Sequence, residues 1–211
     1  MSTFFAKNIQ GQGMFKILDY CQKIELKGKK VIHYELGDPD FDTDYSIKES
    51  LINAINDNNT HYTSSKGHPE LIDSIYNNEK KFFKKIHVDN LQVCIANSSI
   101  FFLLICLVEK NEEVLFPQPY FPSYVSCAKS LGLKINYYNL NFENNFLPDC
   151  DEILETIKNK KIKLVVFNNP GNPTGTKYDY KNILDIINYC QEKGIFCLFD
   201  EVYFKTVFEG K

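Results

Sequence analysis

Asp200 closes the apolar run Ile195-Phe196-Cys197-Leu198-Phe199 and opens the segment Asp200-Glu201-Val202-Tyr203. An ionised carboxylate at the tip of a buried strand is costly unless a cationic group pairs with it. A protonated ring nitrogen on a ligand is one such partner; capping a helix is the commoner duty of an aspartate after a strand. A second segment, Asn168-Asn169-Pro170-Gly171-Asn172-Pro173-Thr174-Gly175, follows another apolar run. Its prolines fix φ and its glycines permit tight turns, so Asn172 reads as an amide on a rigid mount, more chemistry than a plain connection needs. A third segment, Ala96-Asn97-Ser98-Ser99, precedes a long apolar stretch. The start of a helix there would offer backbone N–H groups and a dipole to an anion, with a serine hydroxyl added. Asn and Ser also cap helices with no ligand present. The fourth, Pro117-Gln118-Pro119-Tyr120-Phe121-Pro122-Ser123-Tyr124, is a stiff aromatic shelf. Phe121 is suited either to stack on a planar ligand or to fill a core.

These segments need elements to position them. From about Val93 onward, short apolar runs alternate with amphipathic ones. The pattern predicts strands at 93–96, 113–116, 134–139, 164–167 and 195–199. It predicts helices at 99–109, 124–130, 149–158 and 180–193. Such βαβα alternation implies an α/β fold of three layers, α/β/α, with a mostly parallel sheet. Leu164-Val165-Val166-Phe167 lacks polar alternation, as expected of a strand buried on both faces. Ligands of such sheets bind beyond the carboxyl ends of the strands, where the polar segments fall. The chain before about Leu36 is lysine-rich and helical in texture, and is expected to belong to a separate small domain.

The 211 residues are 44% hydrophobic, enough for a real core. A net charge of −3 argues against a nucleic-acid-binding surface. All basic residues are lysine, so no guanidinium fork is available for a carboxylate or phosphate. The seven cysteines form no close CxxC pair and no Cys/His cluster with zinc-ligand spacing, and no metal is expected. They read as reduced and structural. The N-terminus lacks a secretory pattern, and the longest apolar run is too short to span a bilayer, so a cytoplasmic location is expected. No G-x-G-x-x-G follows a strand, which disfavours a dinucleotide-binding domain.

Taken in order, the four segments resemble the fold-type I pyridoxal-phosphate enzymes, specifically the class I/II aminotransferases that include aspartate aminotransferase. Two further segments support this. Leu36-Gly37-Asp38-Pro39-Asp40-Phe41 is similar to the family's early LxxGxPDF segment. His61 to Leu71 is similar to its YTxxxGxPELR segment, with Ile72 where arginine usually stands. The most specific match is the NxPxNPTG signature at 168–175, followed at the right distance by Asp200.

The resemblance implies pyridoxal 5′-phosphate as cofactor and a role for each matching residue. Asp200 would pair with the protonated pyridine nitrogen, while Asn172 and Tyr203 would hydrogen-bond the 3-oxygen. Phe121 would stack on the ring. Asn97 and Ser98 would contact the phosphate, Asn97 standing where the family often has Gly or Ala. Tyr62 would reach the phosphate of a neighbouring subunit, implying a homodimer with shared sites. Gly37 and Asn172 would lie at the substrate. The family's Schiff-base lysine falls further along than Lys211, so no catalytic residue is assigned in this chain. The expectation is therefore the N-terminal half of a longer enzyme: residues 1–40 as an arm and part of a small domain, and 41–211 as a truncated cofactor-binding domain. The implied reaction is amino-group transfer between an amino acid and a 2-oxo acid. The chain alone is expected to be inactive and poorly soluble. A lyase or aminocyclopropane-carboxylate synthase-like enzyme shares these motifs, and a lysine-less binding or dimerisation domain is the non-enzymatic alternative.

Overall fold

The computed structural model describes residues 13–208, which fall into two compact units, one of residues 14–96 and one running from Asn97 together with Gly13. In the second unit, β1 (Glu113–Gln118), β2 (Lys134–Asn139), β3 (Ile162–Asn168) and β4 (Phe196–Asp200) form one sheet in the order β2-β1-β3-β4. Every pairing is parallel.

Alternation along the strands divides the core in two. Val114 and Phe116 of β1 and Leu164 and Val166 of β3 face one side, against Ile100, Leu104, Tyr124 and Ala128. Those partners come from α4 (Ala96–Leu107) and α5 (Pro122–Ser130). Leu115 of β1 and Val165 and Phe167 of β3 face the other side, against Ile153, Ile157, Ile186 and Cys190. These lie on α6 (Cys150–Asn159) and α7 (Leu184–Lys193). The three-layer α/β/α architecture follows from this two-sided burial. Local signals set the helix ends. The Asp149 side chain accepts from the N–H groups of Asp151 and Glu152 and starts α6. Gly194, at φ +67°, ends α7 in the left-handed conformation.

One expected strand does not form. Residues 91–95 pair with no other strand, and Ala96 already belongs to α4. Val93 N–H donates to the Lys66 carbonyl at 2.8 Å, but no ladder follows. An apolar run specifies burial, whereas a strand also needs a neighbour along its length. Ile95 remains 78% exposed. The 180–193 helix begins as a 3-10 turn over Tyr180–Ile183 before becoming α7.

The first unit is built from α1 (Gly13–Glu25, whose first residue groups with the other unit), α2 (Tyr45–Asn56) and α3 (Pro69–Glu79). Ile72 is its one buried hydrophobic side chain among the described residues. Asp44 caps α2 by accepting from Ser46 N–H at 2.8 Å. After α1 the chain turns at Gly28, φ +77°, and continues without regular secondary structure through residues 29–34. His33 there sits between Glu35 (2.6 Å) and Glu25 (3.0 Å). These two carboxylates, Glu35 foremost, raise the imidazole pKa to about 8.

Candidate active site

The chain passes from β1 to β2 on one side and returns to place β3 on the other side of β1. That reversal opens a crevice at the carboxyl ends of β1 and β3, where parallel sheets take ligands. The segments after β1, β3 and β4 meet there.

Asp200 is the last residue of β4 and is half-buried. Its carbonyl accepts from Asn169 N–H at 3.0 Å and from Asn168 Nδ2 at 3.1 Å. Its Oδ2 accepts from the Tyr124 hydroxyl at 2.5 Å, and Oδ1 makes a longer contact with Val202 N–H at 3.3 Å. Tyr124 is fully buried, with its ring between Phe116 (5.8 Å) and Phe121 (5.7 Å). Burial first, and then the Asp200 carboxylate, push the Tyr124 phenol far above its ordinary range, so it stays a donor. Asp200 thus keeps a fixed orientation, its second oxygen engaged by that one longer bond.

The loop after β3 is braced from within. Asn168 Oδ1 accepts from Asn172 N–H at 2.6 Å, while the same amide donates to Asp200. Asn172 is therefore two hydrogen bonds from Asp200 through one buried side chain. Asn169 pairs twice with the Tyr178 backbone, at 2.8 and 3.1 Å. A Cβ at Gly171 would come within 2.8 Å of Thr174 Oγ1 and 3.4 Å of the Asn168 carbonyl, so a side chain there would displace Thr174 in this tight turn. On the open side, Asn172 Nδ2 lies 3.5 Å from the Tyr203 hydroxyl. Both border a cavity of about 370 Å³ that also touches Pro173, Gly175, Lys177 and Thr206. Glu201 is held from behind by the Tyr180 hydroxyl, which donates to Oε1 at 2.5 Å.

Asn97 stands in the first turn of α4, where its Oδ1 accepts from the Ser123 hydroxyl at 3.0 Å. Ser123 follows Phe121 by two residues, so the start of α4 and the aromatic shelf are joined. Direct contacts connect Asn97, Phe121, Asn172, Asp200 and Tyr203 in this way, through Ser123, Tyr124 and Asn168; Ser98 follows Asn97 in the same helical turn. Tyr62 and Gly37 belong to the other unit. Tyr62 is 108% exposed, and among the described residues nothing lies within 4 Å of the place a Gly37 Cβ would take.

Sequence reasoning passed over two residues of this arrangement. Tyr124 lies three positions after Phe121, in the first turn of α5, and no local signal separates it from an ordinary core tyrosine. Asn168 follows the apolar run Leu164–Phe167 as a buried amide, and a buried amide must have partners.

The fold is a parallel α/β sheet whose polar loops gather at the switch point, where sheets of this class take their ligands. The chain belongs to the aminotransferase class I and II family, which it matches over residues 29–211. That family depends on pyridoxal 5′-phosphate. The chain is 35% identical to the probable aspartate aminotransferase of Methanocaldococcus jannaschii, over 85% of this chain and 48% of that protein. It is 37% identical to the aspartate aminotransferase of Pyrococcus horikoshii, over 87% of this chain and 47% of that protein. Among solved structures, the alanine aminotransferase from Pyrococcus furiosus superposes with a TM-score of 0.91 at 30% identity, covering all of this chain and 55% of that one. The chain therefore spans about half the length of the curated relatives it matches. Among the described residues no helix is long and apolar enough to cross a membrane.

Proposed function

We propose that this chain serves amino-group transfer between an amino acid and a 2-oxo acid, with pyridoxal 5′-phosphate as cofactor. The carrying observation is the Tyr124–Asp200–Asn168–Asn172 chain of hydrogen bonds at the crevice. The residues fit the group in chemical kind. Asp200 offers a carboxylate whose direction Tyr124 sets, suited to a ring N–H⁺. Phe121 offers an aromatic ring. Asn172 and Tyr203 offer two polar groups side by side, suited to a phenolic oxygen. The first turn of α4, with Asn97 and Ser98, offers N–H groups and a hydroxyl suited to a phosphate.

The cofactor supplies an electron sink for bond breaking at the substrate Cα. This chain's own contribution is to hold and orient. Asp200 keeps the ring nitrogen protonated because loss of that proton would leave a half-buried carboxylate unpaired. Tyr124 donates a hydrogen bond to one Asp200 oxygen and limits its rotation. Asn172 is fixed by Gly171 and Asn168, so its amide loses little freedom on binding. We further infer residues 1–40 as an arm and part of a small domain and 41–211 as cofactor-binding domain. In that arrangement Tyr62 would serve the site of a second copy in a homodimer, and Gly37 would border the substrate.

Titrating pyridoxal 5′-phosphate into the chain and following tyrosine fluorescence tests the reading. Saturable binding is expected, weakened at least about tenfold by Asp200→Ala, a loss of about 1.4 kcal/mol or more. Equal binding by wild type and D200A overturns it. Amino transfer to 2-oxoglutarate, assayed on the full-length enzyme with aspartate and with alanine as donors, tests the reaction. The relatives' names point to these two donors.

A further inference from the structure

Away from the crevice, four side chains meet in the residue 14–96 unit. Cys21 and Glu25 are four positions apart on α1 and so share one face of that helix. The Gly28 turn sends the chain back past them in a segment without regular secondary structure. His33 and Glu35 point toward α1, while Ile32 and Tyr34 are left largely exposed. One ligand atom each from Cys21, His33 and Glu35 lies within 4.8 Å of the others. Glu35 is the most enclosed of them, its side chain only 5% exposed.

We propose that Cys21, His33 and Glu35 bind a divalent transition-metal ion of the zinc type, with Glu25 orienting the imidazole from behind. The donor set of thiolate, imidazole and carboxylate is the set zinc takes, and three protein ligands leave one position for water. The two imidazole nitrogens already have separate duties. Nε2 faces Glu25 at 3.0 Å, and Nδ1 faces Glu35 at 2.6 Å. The first contact is the carboxylate–histidine pairing found behind metal-bound imidazoles, which fixes the tautomer and raises ligand basicity. The second is a proton-bridged pair that an ion would replace. Bonds of about 2.0–2.3 Å place tetrahedral ligand atoms roughly 3.3–3.8 Å apart. Nδ1 and Oε1, 2.6 Å apart, would open by roughly 0.7–1.2 Å and Cys21 Sγ would close on them, shifts within reach of side-chain rotation. On binding, the thiol and the imidazolium each release a proton to water, and no redox step is involved. An ordinary histidine bridge between two carboxylates would not need the cysteine, and this distinguishes the two readings.

Cobalt(II), a spectroscopic stand-in for zinc, is titrated into the chelator-treated 211-residue chain. The expected result is a sulfur-to-metal charge-transfer band in the near ultraviolet, saturating at one ion per chain and abolished by added zinc. Cys21→Ser removes the band. His33→Gln weakens binding at least about tenfold, and Glu25→Gln, which touches only the imidazole, weakens it about 10–100-fold. Absence of the band, or a band that survives C21S, overturns the proposal. Far-ultraviolet circular dichroism in chelator confirms that each variant is folded. Should C21S unfold, the wild type still decides the matter through thiol labelling followed by mass spectrometry. Zinc should slow alkylation of Cys21 and leave the exposed Cys94 and Cys106 unprotected. Unchanged labelling of Cys21 overturns the proposal as surely. Neither readout depends on pyridoxal 5′-phosphate or on activity.

Discussion

The residues from Asn97 onward and residues 14–96 hold comparable apolar side chains and use them differently. In the former, both faces of the sheet are covered, and Val114, Leu115, Leu164, Val165 and Phe167 have no exposure. In the latter, α2 carries Ile47, Leu51, Ile52 and Ile55 at helical spacing, and all four remain exposed. A sheet can bury residues from two directions with one set of strands; three helices joined by extended chain cannot without closing on one another. Amphipathic periodicity therefore predicted the helices in both regions but predicted burial only where a sheet supplied the opposing surface. The exposed stripe on α2 is the kind of surface that proteins place at interfaces.

This contrast can be broken by substitution, read from denaturant unfolding of the chain. Leu164→Ala, in the doubly covered strand, is expected to cost about 3–5 kcal/mol, because neighbours on both faces resist collapse into the cavity. A cost under 1 kcal/mol would mean that the central layer is loosely packed. Ile72→Ala should cost about 2 kcal/mol, the low end for such truncations, since its surroundings are largely solvent-accessible and can relax. A loss equal to that of Leu164→Ala would erase the distinction between the units.

Smaller effects sharpen it. Asn168→Ala removes the amide joining Asn172 to Asp200 and should cost about 1–3 kcal/mol through the buried groups it leaves unpaired. The same variant should weaken cofactor binding by loosening the Asn172 mount, whereas a destabilised but fully binding N168A would separate bracing from function. Tyr178 carries a buried hydroxyl with no hydrogen-bond partner among the described residues. Tyr178→Phe should therefore stabilise by up to about 1 kcal/mol, seen as a raised unfolding midpoint. A marked loss would show that the hydroxyl has a partner in solution. Leu51→Ala, on the exposed stripe, should stay within about 0.5 kcal/mol of wild type. A large loss there would show that another surface covers α2.

Much of the sheet region was legible because its signals are local. Runs such as Ile162–Asn168 and helices such as Cys150–Asn159 announce themselves through periodicity and capping, and their observed bounds fall within two residues of those predicted. The loops that meet at the crevice were legible too, since Asp200, Asn172 and Phe121 occupy short segments of unusual composition. Tyr124 was not, because nothing in sequence separates a core tyrosine from one whose hydroxyl meets a carboxylate 76 positions away. Residues 93–96 misled for a related reason: their apolar character is local, but a strand's partner is not.

The sequence alone determined the layered α/β class, the polar loops at the strand ends and the family pattern, since each depends on residues near one another along the chain. Tertiary structure alone decided which oxygen of Asp200 is engaged by Tyr124, how Asn168 ties two loops together, and that Cys21, Glu25, His33 and Glu35 gather in one place. No ligand spacing marks those four residues. Only the turn at Gly28 and the return of the following segment past α1 bring them together, and chain reversal is a property of folded geometry rather than of local composition.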